Sequence, residues 1–233
     1  IYKSLKGDAN KVWYERGEEL VKAIRKVIII YGGKPVVQVS DTFENVSKAD
    51  FIIDWGYHLT FYPEDGSKLI IPSKIVEERS ESELPEDIET WRPAEKEKTR
   101  TEVGILHKSL KKESVKDTTI SKILLKHISK NNLSVSFKEC PYFQSWICNG
   151  GANSTEFTFT ESKKPVFEKN WDGIGIELGS SALDHNGNTD PEVTISFNLK
   201  PGESYTNFIE IKVLDDEEAK KLEKEIRDFQ TAS

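Results

Sequence analysis

Residues 18–33 read Glu18-Glu19-Leu20-Val21-Lys22-Ala23-Ile24-Arg25-Lys26-Val27-Ile28-Ile29-Ile30-Tyr31-Gly32-Gly33. Leu20, Ile24, Val27, Ile28 and Tyr31 recur at intervals of three and four, the spacing of a helix with one buried face. Gly32-Gly33 supplies residues that tolerate the left-handed conformation common just past a helix end. Taken alone, Val27–Tyr31 fits a buried strand equally well, because a short apolar run has no decisive period. Read as a helix, the stretch makes the N-terminal part a mixed α/β unit. Pro35–Val39 and Phe51–Trp55 then read as strands, and Leu59–Tyr62 and Lys68–Ile71 as a hairpin around Pro63-Glu64-Asp65-Gly66.

Downstream, residues 94–117 form a charged connector that begins Glu95-Lys96-Glu97-Lys98 and has few apolar anchors. Thr118–Lys130 is expected to be a second helix, with Ile120, Ile123, Leu124 and Ile128 on one face and Asn131-Asn132 as its stop. The period then changes to two. Leu133, Val135 and Phe137 alternate with polar residues, as do Phe157 and Phe159, Ile174, Ile176 and Leu178, and Val193, Ile195 and Phe197. Phe208–Val213 is the last strand. Asp215 and Glu218 stand at capping-box spacing before a helix whose stripe is Ala219, Leu222, Ile226 and Phe229. The expected class is therefore α+β: a small α/β domain at 1–93, the connector at 94–117, and an antiparallel β-rich domain sealed by a C-terminal helix at 118–233.

Composition narrows the function. The 233 residues are 36% hydrophobic and 31% charged, enough for a packed core under a solvated surface. No apolar run approaches the roughly 20 residues that span a bilayer. Two cysteines, Cys140 and Cys148, are too few for a disulfide framework, which favours an intracellular, reduced protein without choosing between nucleus and cytoplasm. A net charge of −7 argues against generic binding to a phosphate backbone. The one basic stretch runs from Lys108 to Lys130, with Lys111, Lys112, Lys122 and Lys126 as its nucleic-acid candidates, diluted by Glu113 and Asp117. Sequons at Asn45, Asn132 and Asn153 carry little weight in a chain rich in Asn, Ser and Thr.

Asp184-His185-Asn186-Gly187-Asn188-Thr189-Asp190 is the sharpest local pattern. Oxygen ligands at Asp184, Asn186, Asn188 and Asp190 suit Ca²⁺, although the glycine falls two positions early for an EF-hand loop. The same residues make an ordinary turn. His58, His107, His127 and His185 are scattered without metal-ligand spacing. Asp54, Asp65 and Glu77 with Lys74 give a metal-dependent nuclease reading in which two carboxylates hold Mg²⁺ and the lysine steadies developing charge. The five tryptophans, Trp146 among them, are assigned mainly to the core.

The order of elements in residues 1–93 resembles a BRCT domain. Lys11-Val12-Trp13-Tyr14 stands as a first strand, the Gly32-Gly33 stretch as its helix, and Lys68–Glu78 as the closing strand and helix. The resemblance implies docking to protein partners, often in chromosome maintenance. The phosphopeptide function of some members is not expected, because Glu15-Arg16-Gly17 stands where that function needs a Ser or Thr. The C-terminal part resembles a pleckstrin-homology-like plan in element order alone. Together these features imply a non-catalytic adaptor that binds protein partners, with homodimerisation open and no catalytic residues. The metal-dependent nuclease and a nucleic-acid-binding module are the alternatives.

Overall fold

Four consecutive β-branched or aromatic-flanked positions, Val27-Ile28-Ile29-Ile30, favour extended backbone, because branching at Cβ crowds a helical turn and fits a pleated surface. The computed structural model follows that preference. It describes residues 3–15, 18–53, 56–72, 75–78, 87, 89–90, 102–108, 120–138, 144–150, 157–159, 165–167, 173–179 and 197–232. Strand β1 (Lys3–Glu15) and strand β2 (Glu18–Tyr31) form an antiparallel hairpin, and β2 turns through Gly32 into β3 (Val36–Asn45). The expected helix over 18–30 is thus a strand. Its apolar residues lie on both faces, Val21 and Val27 on one and Ile24 and Ile28 on the other, and that two-sided pattern mimics a helical repeat. Gly32, with φ 103°, serves a hairpin turn instead of a helix end.

Two sheets dominate. The larger one has the order β1-β2-β3-β16-β10-β9-β6, where β6 is Lys68–Ile70, β9 Ile120–Lys126, β10 Asn132–Lys138 and β16 Ser204–Leu214. The smaller has the order β5-β14-β11-β8-β7: Gly56–Phe61, Gly173–Gly179, Gln144–Gly150, Glu102–Lys108 and Ile75–Glu78. Two short pairs complete the strands, β4 (Phe51–Ile53) with β15 (Phe197–Leu199), and β12 (Phe157–Phe159) with β13 (Pro165–Phe167). Every pairing among the described residues is antiparallel, as short connections and one-sided burial favour.

The core lies between the two large sheets. Val21, Ile123, Leu125, Val135, Phe137 and Ile209 of the seven-stranded sheet pack with Ile176 and with Tyr57, Leu59 and Phe61 of the five-stranded one. Helix α1 (Asp216–Thr231) seals the opposite face of the larger sheet, placing Ala219, Leu222 and Ile226 on Ile70, Leu124 and Leu214. This explains β9, where a helix was expected over 118–130. Ile123, Leu124 and Leu125 are all buried, because one face of the strand meets the sandwich core and the other meets α1. A strand covered on both sides has no period of two to read.

The α+β, two-domain expectation is accordingly corrected. Residues 3–45 share a sheet with 120–138 and 204–214, so one core draws on both ends of the chain. The segment matched to a BRCT closing strand and helix holds two strands, β6 and β7, in different sheets. The turn Pro63-Glu64-Asp65-Gly66 likewise carries the chain from one sheet to the other, so β5 and β6 are not the expected hairpin. Part of the expected connector, Glu102–Lys108, is strand β8. The capped C-terminal helix stands where its sequence signals put it.

Candidate active site

A polar row crosses the inner face of the larger sheet, since the register aligns Arg25, Asp41 and Asn207 on β2, β3 and β16. Arg25 grips Asp41 with two hydrogen bonds, Nε to Oδ1 and Nη2 to Oδ2, each 2.7 Å. From the other sheet the Tyr57 hydroxyl donates to Asp41 Oδ2 at 2.8 Å, with the Arg25 guanidinium 5.9 Å above its ring. Asp41 is 5% exposed. Its hydrogen bonds raise the Arg25 pKa, and burial together with Asp41 holds the Tyr57 phenol well above its usual range. The phenol therefore stays protonated and donating. Beside them Asn207 is buried, its Oδ1 accepting from the Phe208 N–H and its Nδ2 without a hydrogen-bond partner. The carboxylate is already engaged by three donors, so the row fixes geometry; it has no free base to offer.

A second row crosses the five-stranded sheet, whose Tyr57, Leu59 and Ile176 belong to the core. The register sets His58 on β5 opposite Glu177 on β14, Glu177 opposite Trp146 on β11, Trp146 opposite Leu106 on β8, and Leu106 opposite Glu77 on β7. On the same face of β14, Glu177 is flanked by Gly173, Gly175 and Gly179. Directly opposed residues have Cβ atoms about 4.5–5.5 Å apart.

The sequence contains the parts of this row without the arrangement. His58 reads there as a scattered histidine, Trp146 as a core residue, and Glu177 as the polar position between Ile176 and Leu178. The usable signal was Gly173-Ile174-Gly175-Ile176-Glu177-Leu178-Gly179, whose alternation puts one carboxylate among glycines on a single face.

Other expected sites fall elsewhere. Asp184, Asn186, Asn188 and Asp190 lie outside the described residues, as do Lys111, Lys112, Asp54, Lys74 and Cys140. Lys122 is exposed on β9, while Lys126 on the same strand pairs with Glu223 of α1 at 2.7 Å. Asp65 sits in the turn after β5 and Glu77 on β7. Among the described residues no group of His, Cys, Asp or Glu is placed to hold a metal ion, and no helix is long and apolar enough to cross a membrane. Asn45 is fully buried, its amide donating to the carbonyls of Ala49 and Leu199 and accepting from Ser47. Asn132 is buried too and caps the His127 N–H, so both sequons have structural work in the fold.

No family model and no curated protein matches the sequence. Solved structures do match. A candidate aldose 1-epimerase from Klebsiella pneumoniae superposes over 98% of this chain with a TM-score of 0.63 and 13% identity. The fold is the mutarotase-like β-sandwich. A second candidate aldose 1-epimerase, from Escherichia coli K12, covers 91% of the chain at 14% identity with a TM-score of 0.52. A galactose mutarotase-like protein from Clostridium acetobutylicum covers 92% at 16% identity with a TM-score of 0.51. The chain spans 55%, 65% and 63% of the lengths of these three proteins. These likenesses overturn the BRCT and pleckstrin-homology-like resemblances. The adaptor reading and its nuclease alternative are corrected with them, and the nuclear placement loses its support, since the neighbours are described as candidate aldose 1-epimerases and a galactose mutarotase-like protein.

Proposed function

We propose that the chain is a mutarotase-like enzyme that interconverts the anomers of a free aldose on the five-stranded sheet. The observation that carries the reading is the register that sets His58 opposite Glu177 and Glu177 opposite Trp146. The sandwich shared with candidate aldose 1-epimerases supports it.

Anomer interconversion asks for two proton transfers at neighbouring oxygens. Glu177, as carboxylate, takes the proton of the anomeric hydroxyl while His58, as imidazolium, protonates the ring oxygen. The bond between the anomeric carbon and the ring oxygen breaks, and an open-chain aldehyde forms. Rotation about the adjoining carbon–carbon bond presents the other carbonyl face. The two groups then run the same transfers backwards, and both return to their starting protonation. Trp146 offers an aromatic platform for the apolar face of a pyranose. On this reading the partner is a small sugar, and the expected intracellular placement sets the chain beside its free aldoses.

Polarimetry tests it. Dissolving a crystalline α-anomer of glucose or galactose with the protein is expected to speed the decay of optical rotation in proportion to protein concentration. The rate is expected to follow a bell-shaped pH profile, since base and acid must each be in the correct form. No acceleration across a panel of aldoses at micromolar protein would contradict the reading.

A further inference from the structure

We propose that the turn between β9 and β10 is an oxyanion-binding site which the chain fills with its own Glu64, and which takes a small free carboxylate or phosphate once that side chain is withdrawn. Residues 127–131 join the two strands, and the backbone N–H groups of Ile128, Ser129 and Lys130 converge on one carboxylate. Successive N–H groups gathered on one side of a turn make a concavity of positive partial charge, the arrangement in which proteins hold phosphate and other anions. The Ser129 hydroxyl adds a fourth donor. Three N–H groups meet Glu64 Oε1 at 2.6, 2.6 and 3.2 Å, and the hydroxyl meets Oε2 at 2.6 Å. Hydrogen bonds to an ionised acceptor are the short, strong class. The same donors hold the Glu64 carboxyl down to about 2, as expected of a carboxylate seated among several N–H groups.

The cradle is shaped by residues other than its occupant. The His127 N–H donates to Asn132 Oδ1 at 3.0 Å, and the buried Asn132 amide in turn donates to Asp216 of α1. The Ser67 hydroxyl braces the His127 ring, 3.1 Å from Nδ1. These contacts hold the turn from the sheet and from the helix, so the donors stay gathered when Glu64 is replaced. The turn also opens to water, Ile128 being 72% exposed, and Lys130 brings it a positive charge. Glu64 arrives from a point 64 positions earlier than Ile128, in a turn closed by the Ser67 N–H on the Glu64 carbonyl at 2.9 Å. A ligand tethered in this way competes at an effective concentration on the order of millimolar or higher, so the intact chain keeps its own carboxylate in place.

The test follows the backbone amide signals of Ile128, Ser129 and Lys130 by NMR in Glu64→Ala while sodium acetate is added at constant ionic strength. Acetate restores the carboxylate and the carbon that the substitution removes. The three signals are expected to lie downfield in the wild type and to ignore acetate there. In Glu64→Ala they should move upfield, then return with acetate along a saturating curve, and the melting temperature should rise over the same range. Inorganic phosphate serves as a second, tetrahedral probe. Adding Ser129→Ala to Glu64→Ala removes one donor and is expected to raise the acetate midpoint about threefold or more. Should Glu64→Ala not fold, Glu64→Gln keeps the length of the side chain without its charge, and acetate is expected to displace the neutral amide with a weaker but still saturating midpoint. Signals that drift linearly with acetate and with phosphate, as they do with sodium chloride, would overturn the site in either variant. Wild-type signals at ordinary amide positions would overturn it as well.

Discussion

Glu64 shows how much one carboxylate can organise. Its Oε1 accepts the backbone N–H groups of Ile128 and Ser129 at 2.6 Å and of Lys130 at 3.2 Å, and its Oε2 accepts the Ser129 hydroxyl at 2.6 Å. These bonds, the Ser129 hydroxyl first, pull its pKa down to about 2. A pKa below the unfolded value of about 4.3 means the contribution is complete above that pH and lost as pH falls toward about 2. Thermal melts should therefore show Glu64→Gln less stable than wild type near neutrality, with the gap closing on acidification. Next to it the His127 side chain is largely covered, with Nδ1 3.1 Å from the Ser67 hydroxyl, and that desolvation lowers its pKa. Acidification below about pH 6.5 charges the histidine first in the unfolded chain, so wild type should lose stability there while His127→Asn loses less. Glycines make a second residue-scale contrast. Gly202 has φ 79° with open space around it, so Gly202→Ala should cost about 1 kcal/mol or more through backbone strain alone. Gly33 also has open space but an ordinary φ, and Gly33→Ala should be close to neutral.

Among the elements, helix α1 was the most legible and the reason is geometric. Its apolar stripe meets one surface and its other side meets water, so Ala219, Leu222 and Ile226 keep the period of a helix. The capping box is present in full, Asp215 accepting from the Glu218 N–H at 2.9 Å and Glu218 from the Asp215 N–H. Lys34 adds a cation that pairs with both carboxylates. Asp215→Ala should cost about 1 kcal/mol in denaturant unfolding. Leu222→Ala, which opens a cavity against Leu124 and Ile70, should cost about 2–5 kcal/mol. Strands β2 and β9 were misread because neighbours cover both their faces or leave apolar residues on both, which erases alternation and leaves spacings of three and four by coincidence. Strands β10 and β16 kept a recognisable alternation, with Ile209 in the sandwich core and Phe208 and Glu210 less buried.

At the scale of the whole molecule, the sheet that carries the proposed site draws its strands from 56–61, 75–78, 102–108, 144–150 and 173–179. His58 and Glu177 become neighbours only when strands from opposite halves of the chain pair. No local pattern announces that pairing. The sequence therefore disclosed a capped helix, most of the later strands and the polar character of Glu177, but neither the single sandwich core nor the site. Division into two small domains followed from reading 18–30 as a helix; once that stretch is a strand, one continuous sheet joins both ends of the chain. The proposed site rests on the pairing of His58 with Glu177 across β5 and β14. The most direct test of this arrangement is exchange NMR between the α- and β-anomer signals of an equilibrated aldose. With wild-type protein, exchange cross-peaks should appear at a rate proportional to protein concentration, and Glu177→Gln and His58→Asn should each reduce that rate about a hundredfold or more. Exchange that persists at the wild-type rate in both variants, or is absent with the wild type, would contradict it.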